Sequence, residues 1–247
     1  MRIRRGSAEK PVRMQDVVEV VYDERRWSLL SNLRSEAKGI LEALAKHDIE
    51  GYIHGSIARG DVDEYSDIDI VVPTTVRSHR IELALISGGY KIEAKKIVQA
   101  TPRRAIKAHV YLDLEGRVCV TFPLVKFTSL EWDFYRFSGI IDLRGVVAGL
   151  RVPGVSKRLT LIEPTSYGHI EYSIIGLEAE VAKKLGVSEA IIHERIDVLT
   201  RRDEVGRTGV YLAEEIPIDE NFEQALREIA AKDPAIRRKI KYSGFDR

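Results

Sequence analysis

Residues 52–72 read YIHGSIARGDVDEYSDIDIVV, and the fold follows from how that stretch divides. A short apolar strand, Tyr52 to His54, runs into Gly55-Ser56. Ten residues after Ser56, a second strand opens with Ser66-Asp67-Ile68-Asp69 and is closed by Pro73. Strand side chains alternate, so Asp67 and Asp69 leave from one face while Ile68 and Ile70 enter the core. Two neighbouring carboxylates repel each other and need a partner. A divalent cation with hard oxygen preference supplies one, and Mg²⁺ bridged to phosphates is the usual occupant. Gly55 lets a ligand approach the backbone, and the N–H groups after it can hold a phosphate together with the Ser56 hydroxyl. Metal, phosphate cradle and adjacent strands describe a site for phosphoryl or nucleotidyl transfer.

The charge distribution supports that site. The chain has 247 residues with 39 Lys+Arg against 38 Asp+Glu, a net charge of +1. Near-neutrality excludes a uniformly basic nucleic-acid coat, but it averages unlike parts. Met1 to Arg13 holds five cations (Arg2, Arg4, Arg5, Lys10, Arg13) against Glu9, whereas Asp61 to Asp69 holds five acids and no cation. An acidic knot of this kind is what a cation site requires. Hydrophobic residues at 44% beside 31% charged residues exclude global disorder. No apolar run reaches the roughly 18 residues that span a bilayer, and no apolar core follows the basic start, so neither a membrane span nor a secretory signal is expected. Cys119 is the single cysteine, which excludes an intramolecular disulfide, and a cytoplasmic protein is expected. Two Asn and three Gln beside many Glu, Lys and Arg are the composition expected of a protein from a hot environment.

Outward from the motif, the spacing predicts strand character from Met14 to Tyr22 and one amphipathic helix from Asp23 to Lys46. The helix is read from Leu29, Leu30, Leu33, Ala37, Ile40, Leu41 and Leu44. Downstream, a helix from His79 to Ser87 is stopped by Gly88-Gly89. Strands are expected over 90–99, 106–114 and 117–125, the last two joined by Glu115-Gly116 in a tight hairpin. Residues 126–163 show no clean period, and Trp132 and its aromatic neighbours there are expected to pack at a domain interface.

The set Ile53, Gly55, Ser56, Arg59, Gly60, Ser66, Asp67, Ile68, Asp69 and Ile70 resembles the signature of the DNA polymerase beta-like nucleotidyltransferase superfamily, over roughly residues 23–125. The resemblance implies an α+β fold, with a mixed sheet flanked by helices, and transfer of a nucleoside monophosphate to an acceptor hydroxyl with release of pyrophosphate. It implies that Gly55, Ser56 and Ser66 hold the phosphates of a nucleoside triphosphate and that Asp67 and Asp69 bind Mg²⁺, two ions in all. Family members usually add a third carboxylate from a later strand. His109, Tyr111 and Asp113 share one strand face, so Asp113 is the candidate catalytic and metal-binding acid; the alternatives are that it only starts the hairpin turn, or that Glu93 serves. Arg59 is a candidate triphosphate contact, as is Lys95 or Lys96, although each of these also reads as an exposed cation.

Beyond Pro164 the pattern is helical. Residues 179–199, AEVAKKLGVSEAIIHERIDVL, resemble a helix-turn-helix: Gly186 turns the chain, Ser188 caps the second helix, and Ile192 and Ile196 pack inward. RRDEVGRTGVYL after it resembles the wing of a winged helix. With the transferase motif, this looks like a group of predicted archaeal nucleotidyltransferases with C-terminal helix-turn-helix domains. The expected division is therefore an arm and first strand (1–22), a nucleotidyltransferase domain (23–125), a connecting region that could line the acceptor site (126–164), and a winged helix with basic tail (165–247). Lys157, Arg158, Arg201, Arg202 and Arg207 are the candidate nucleic-acid contacts, and the acceptor is nucleic acid or protein. A regulator that senses a nucleotide without turnover is the alternative reading.

Overall fold

The computed structural model describes residues 10–13, 16–206, 209–243 and 245. Strand β1 (Val18–Val21) leads into helix α1 (Glu24–Ala45). Asp23 caps that helix by accepting the Arg26 backbone N–H at 2.8 Å, a bond worth about 1 kcal/mol. Strand β2 (Tyr52–His54), the single turn α2 (Ser56–Arg59), strand β3 (Ile68–Val71) and helix α3 (Ser78–Ser87) follow. Then come β4 (Ala94–Gln99), β5 (Lys107–Tyr111) and β6 (Val118–Pro123), so the strands expected from 90 to 125 form with shorter ends.

The stretch without a period resolves into α4 (Ser129–Phe137), β7 (Ile140–Asp142), α5 (Leu143–Val147), β8 (Gly154–Val155) and β9 (Thr160–Thr165). The rest comprises β10 (Gly168–Ser173), α6 (Glu178–Leu185), α7 (Glu189–Val205), β11 (Leu212–Ile216), α8 (Phe222–Lys232) and α9 (Pro234–Ser243).

Two sheets organise these elements. The larger is mixed, in the order β11-β4-β5-β6-β3-β2-β7, with β3 and β6 its parallel pair. The smaller is antiparallel, β1-β10-β9-β8. Register sorts the large sheet into two faces. Ile53, Ile70, Val120, Val110 and Lys95 lie in one row across five strands, all essentially unexposed. That face packs on the buried stripe of α1, including Ile40 and Leu44. The opposite face carries Asp69, Cys119 and Tyr111 in one row and Val71, Thr121, His109 and Lys96 in the next. Its polar character sets it apart from the core face.

A second core joins the small sheet to α6 and α7 through Val155, Leu161, Val181, Ala182, Ile191 and Ile192, with Phe137 of α4 among them. The helix pair expected here forms, with Gly186 left-handed (φ 63°) at the turn. Ser188 stands at the cap position, but its hydroxyl makes no capping bond.

The expected wing does not form. RRDEV, Arg201 to Val205, continues α7, and Leu212–Ile216 joins the edge of the large sheet beside β4. Arg207 and part of the expected wing tip lie outside the described residues. The anchors that draw this segment away are long-range. Lys95 Nζ donates to the carbonyls of Ile218 and Glu220, and Phe222 packs edge-on against Phe122 with ring centres 5.6 Å apart. Phe222, Leu226, Ile236 and Ile240 then enter the first core. The division at residue 164 is corrected accordingly: the second core spans α4 to α7, and the chain after it returns to the first.

Candidate functional site

Gly55 is the pivot of the candidate site. Its φ of 81° and ψ of −146° suit glycine, and a side chain added there would meet nothing within 4 Å, so the space beside it is open. Its N–H donates to Gly139 at 3.0 Å, which ties the turn to the end of α4. The Ser56 hydroxyl lies 3.2 Å from that of Ser66, so the two serines named in the motif meet although they stand ten positions apart in sequence. Ser66 Oγ also accepts the Asp63 N–H at 3.0 Å.

Two arginines that sequence reasoning missed hold this geometry. Arg34 on α1 donates to the carbonyls of Ile57 (3.0 Å), Ala58 (3.0 Å) and Leu150 (2.6 Å), satisfying the exposed end of α2. Arg117 donates to the carbonyls of Glu64 and Ser66, both at 2.9 Å, and its Nε stands 3.4 Å from Asp67 Oδ1. Neither announces itself in sequence, because an arginine that binds backbone carbonyls has no motif.

Asp67 and Asp69 both titrate above the ordinary carboxylate range. For Asp67 the cause is burial first and then the charge of Asp69, opposed by Arg117 and Lys157. For Asp69 it is burial, opposed by Lys157 and Lys107. The ionised pair is therefore poorly accommodated by the protein alone, and a hard divalent cation fits it. Bound there, the cation would offset both carboxylates and polarise a phosphate oxygen. The donor set is small: among the described residues no group of three His, Cys, Asp or Glu side chains could hold a metal.

Asp113 does not complete that set. Its carboxylate accepts the backbone N–H groups of Arg117 (3.1 Å) and Val118 (2.9 Å), so it closes the β5–β6 hairpin, the alternative its place before Glu115-Gly116 left open. Glu93 pairs with Lys91 at 2.8 Å; it precedes Ala94, the register partner of Tyr111, and so leaves from the opposite face. Cys119 stands across from Asp69 on the neighbouring strand. Burial pushes its thiol up and keeps it neutral.

The other cations are redistributed too. Arg59 is 5% exposed, grips Asp61 through two bonds of 2.8 and 2.9 Å, and donates to the Ser138 carbonyl at 2.7 Å. With a further 3.4 Å bond to the Val155 carbonyl, four of its five N–H groups are engaged by the loop after α2 and by the ends of α4 and β8. Lys95 and Lys96 are buried rather than exposed; Lys95 pairs with Glu82 (3.2 Å) and Lys96 with Glu215 on β11 (2.9 Å).

Lys157, in contrast, is exposed on the β8–β9 turn, and its charge acts on Asp67, Asp69 and His54. Arg158 next to it pairs with Glu171 at 3.8 Å, while Arg201 and Arg202 are exposed at the end of α7. Helix α4 roofs one side: the Tyr135 ring packs edge-on to His54 at 4.9 Å, and Trp132 to Tyr52 at 5.5 Å. The aromatic segment thus lies at an interface as expected, with Phe134 and Phe137 turned to the second core.

Residues 34–144 match the family model of the nucleotidyltransferase domain. The match takes in the whole site from Gly55 to Cys119 and runs past residue 125 into α5, and it supports a nucleotidyltransferase as the class of enzyme. Such domains generally use divalent metal ions. No curated protein and no solved structure matches the chain. No described helix is long and apolar enough to cross a membrane.

Proposed function

We propose that this protein transfers a nucleoside monophosphate from a nucleoside triphosphate to an acceptor hydroxyl, using Mg²⁺ held by Asp67 and Asp69. One observation carries the reading: paired serine hydroxyls, open space at Gly55 and two carboxylates lacking a sufficient partner converge at the mouth of β2 and β3. Gly55, Ser56 and Ser66 take the phosphates that leave. Asp67 and Asp69 hold the cation, whose charge offsets that gathering on the phosphates. Lys157 faces the same carboxylates from the β8–β9 turn and is placed to meet the triphosphate or a phosphate of a nucleic-acid acceptor. In the reaction the acceptor oxygen bonds to the α-phosphorus and the bond from that phosphorus to the β-bridging oxygen breaks. Pyrophosphate leaves with the bonding pair, and the hydroxyl proton passes to water. The composition, with one cysteine and few Asn and Gln, supports reading this chain as a cytoplasmic protein of an organism from a hot habitat.

Calorimetric titration with nucleoside triphosphate and Mg²⁺ tests the reading. Binding is expected for the native protein, and Asp67→Asn and Asp69→Asn should each weaken it at least tenfold; binding indifferent to both substitutions removes the proposal. A specific observation, the diversion of Asp113 to the hairpin, favours a second reading in which nucleotide is sensed without turnover. Labelled triphosphate incubated with cell extract, then treated with nuclease or protease, separates the two. Label on nucleic acid or protein identifies the acceptor; binding without any pyrophosphate release supports the sensor.

A further inference from the structure

Arg195 takes no part in the proposed reaction. It is half-buried on α7, and its guanidinium packs over the Phe134 ring of α4 at 5.1 Å. Its Nε is buried without a hydrogen-bond partner. Burial is the main cause that lowers its pKa to about 10; Arg202 and Arg104 push the same way, and Glu194 opposes them. Arg34, lowered to about 10 as well, spends its donors on three carbonyls. Arg195 has no such outlet among the described residues. Glu194 pairs instead with Arg104, which reaches it from the turn between β4 and β5. Among the described residues no carboxylate stands within ion-pair distance of Arg195 or of the exposed Arg202. Three guanidinium groups therefore gather about one carboxylate. Like charges held together, one of them desolvated, are costly unless an anion joins them.

The surroundings hold this cluster in place. Gln99, 1% exposed, donates to the carbonyls of Pro102 (3.3 Å) and Arg104 (2.8 Å), which fixes the turn. The Ala105 N–H goes to Glu131 of α4, and Lys239 of α9 donates to the Arg103 carbonyl at 2.7 Å. At about 3.6 residues per turn, Arg195 and Arg202 fall on one side of α7, two turns and roughly 10 Å apart along its axis. Glu194 and Arg201 lie on the flank of that line toward Arg104. Asp203 lies on the other flank, with Asp197 and Glu204 at the back of the helix.

A phosphate suits such a cluster better than a carboxylate, because its oxygens accept from several guanidinium groups at once. The separation of Arg195 from Arg202 exceeds the reach of one phosphate, so successive phosphates of a chain answer both. We infer that Arg104, Arg195 and Arg202 bind the phosphodiester backbone of a nucleic-acid strand laid along α7 and the β4–β5 turn. This differs from the docking of a recognition helix: Arg195 is on the side of α7 that faces α4, and the strand is held by its backbone without its bases being read. The inference does not rest on the nucleotidyl-transfer reading, since none of the three arginines is among the residues that gather at Gly55.

Fluorescence anisotropy tests it, with labelled oligouridylate and a labelled DNA duplex titrated over a series of salt concentrations. The native protein should bind at least one probe at low salt, with a log–log salt slope of about −1.4 or steeper on the single strand for two or more phosphate contacts. Arg202→Ala should weaken binding about fivefold and Arg195→Met about tenfold, each making the slope shallower by about 0.7. Glu194→Gln, which frees Arg104, should tighten binding about threefold, a gain that a purely structural role would not produce. A native protein that binds neither probe overturns the inference, as does affinity within about twofold of native in both Arg195→Met and Arg202→Glu. So does displacement of the probes by inorganic pyrophosphate or polyglutamate at matched charge, since the cluster would then serve a small anion or an acidic polypeptide. Arg202→Glu, at an exposed position, decides the matter if Arg195→Met is unstable. Calorimetric binding of triphosphate with Mg²⁺ should stay within about twofold of native in every variant; a parallel loss would assign the cluster to the nucleotide site and overturn the inference. A native protein that binds the strand but no triphosphate defeats the transfer reading and leaves this one standing.

Discussion

Arg59 shows how a residue can belong to a motif without touching the ligand. It sits three positions after Ser56, where a phosphate-binding cation would be convenient, yet its guanidinium is turned inward onto Asp61 and the carbonyl of Ser138. The side chains of the pair are only 6% and 12% exposed. Removing one member of a buried pair leaves the other charged and unpaired, which typically costs about 3–5 kcal/mol. Arg59→Ala should therefore lower the free energy of urea unfolding by about that amount. Any loss of triphosphate affinity should accompany the displacement of α2 rather than reflect a lost contact. An Arg59→Ala protein of native stability with selectively weakened triphosphate binding would restore the direct role that its position in the motif suggests. Asp113 follows the same logic: alternation assigned it a face, but the two N–H groups of a tight turn claimed its carboxylate first.

Among the elements from α1 to β6, all but the single turn α2 could be read in sequence: α1 and β5 bury one face and leave the other more open, so their periods survive, while β6, buried on both faces, reads as an apolar run. Helix α4 could not. Leu130, Phe134 and Phe137 recur at helical spacing and enter the second core, but Trp132 and Tyr135 between them cover the site, and the aromatic crowding of the segment masks its period. The strand Leu212–Ile216 has a different difficulty. Its sequence, LAEEI, says little about a partner, and the partner is fixed by Lys95, Lys96 and Phe122, remote in sequence. Tertiary anchors of that kind override a local hairpin, which is why the expected wing became a sheet edge. The fully buried Phe222 is the anchor to remove. Phe222→Ala should cost about 3–5 kcal/mol, and the amides of β4 should then exchange with deuterium much faster in step with those of β11. If residues 165–247 behaved as a separate domain, protection in β4 would not change.

At the scale of the whole molecule, one sheet is asked both to fold and to carry a charged face, and acid should expose the conflict. His54 and His109 sit on that face with their pKa values pushed down to about 3. Burial is the main cause for both, followed for His54 by Lys107, Arg59 and Lys157, and for His109 by Lys107 and Lys96. The unfolded chain protonates each near 6.5, so below that pH it binds protons that the fold refuses, and stability falls as pH drops from about 6.5 toward 3. From pH 7 to pH 5 each histidine should remove about 2 kcal/mol, a figure insensitive to how far below 5 the folded value lies. Asp67 and Asp69 act in the opposite sense: their pKa values are raised, so the fold binds their protons more readily, and stability is regained as pH falls through the raised values. The histidines should dominate at the start of the descent, because they begin to titrate near 6.5 in the unfolded chain. Urea unfolding at pH 7 and pH 5 should therefore differ by about 2–4 kcal/mol, and His109→Gln should shrink the difference by about 2 kcal/mol. A profile flat between those pH values would mean that His54 and His109 protonate in the folded protein, and hence that water reaches the face on which Asp69 and Lys107 lie.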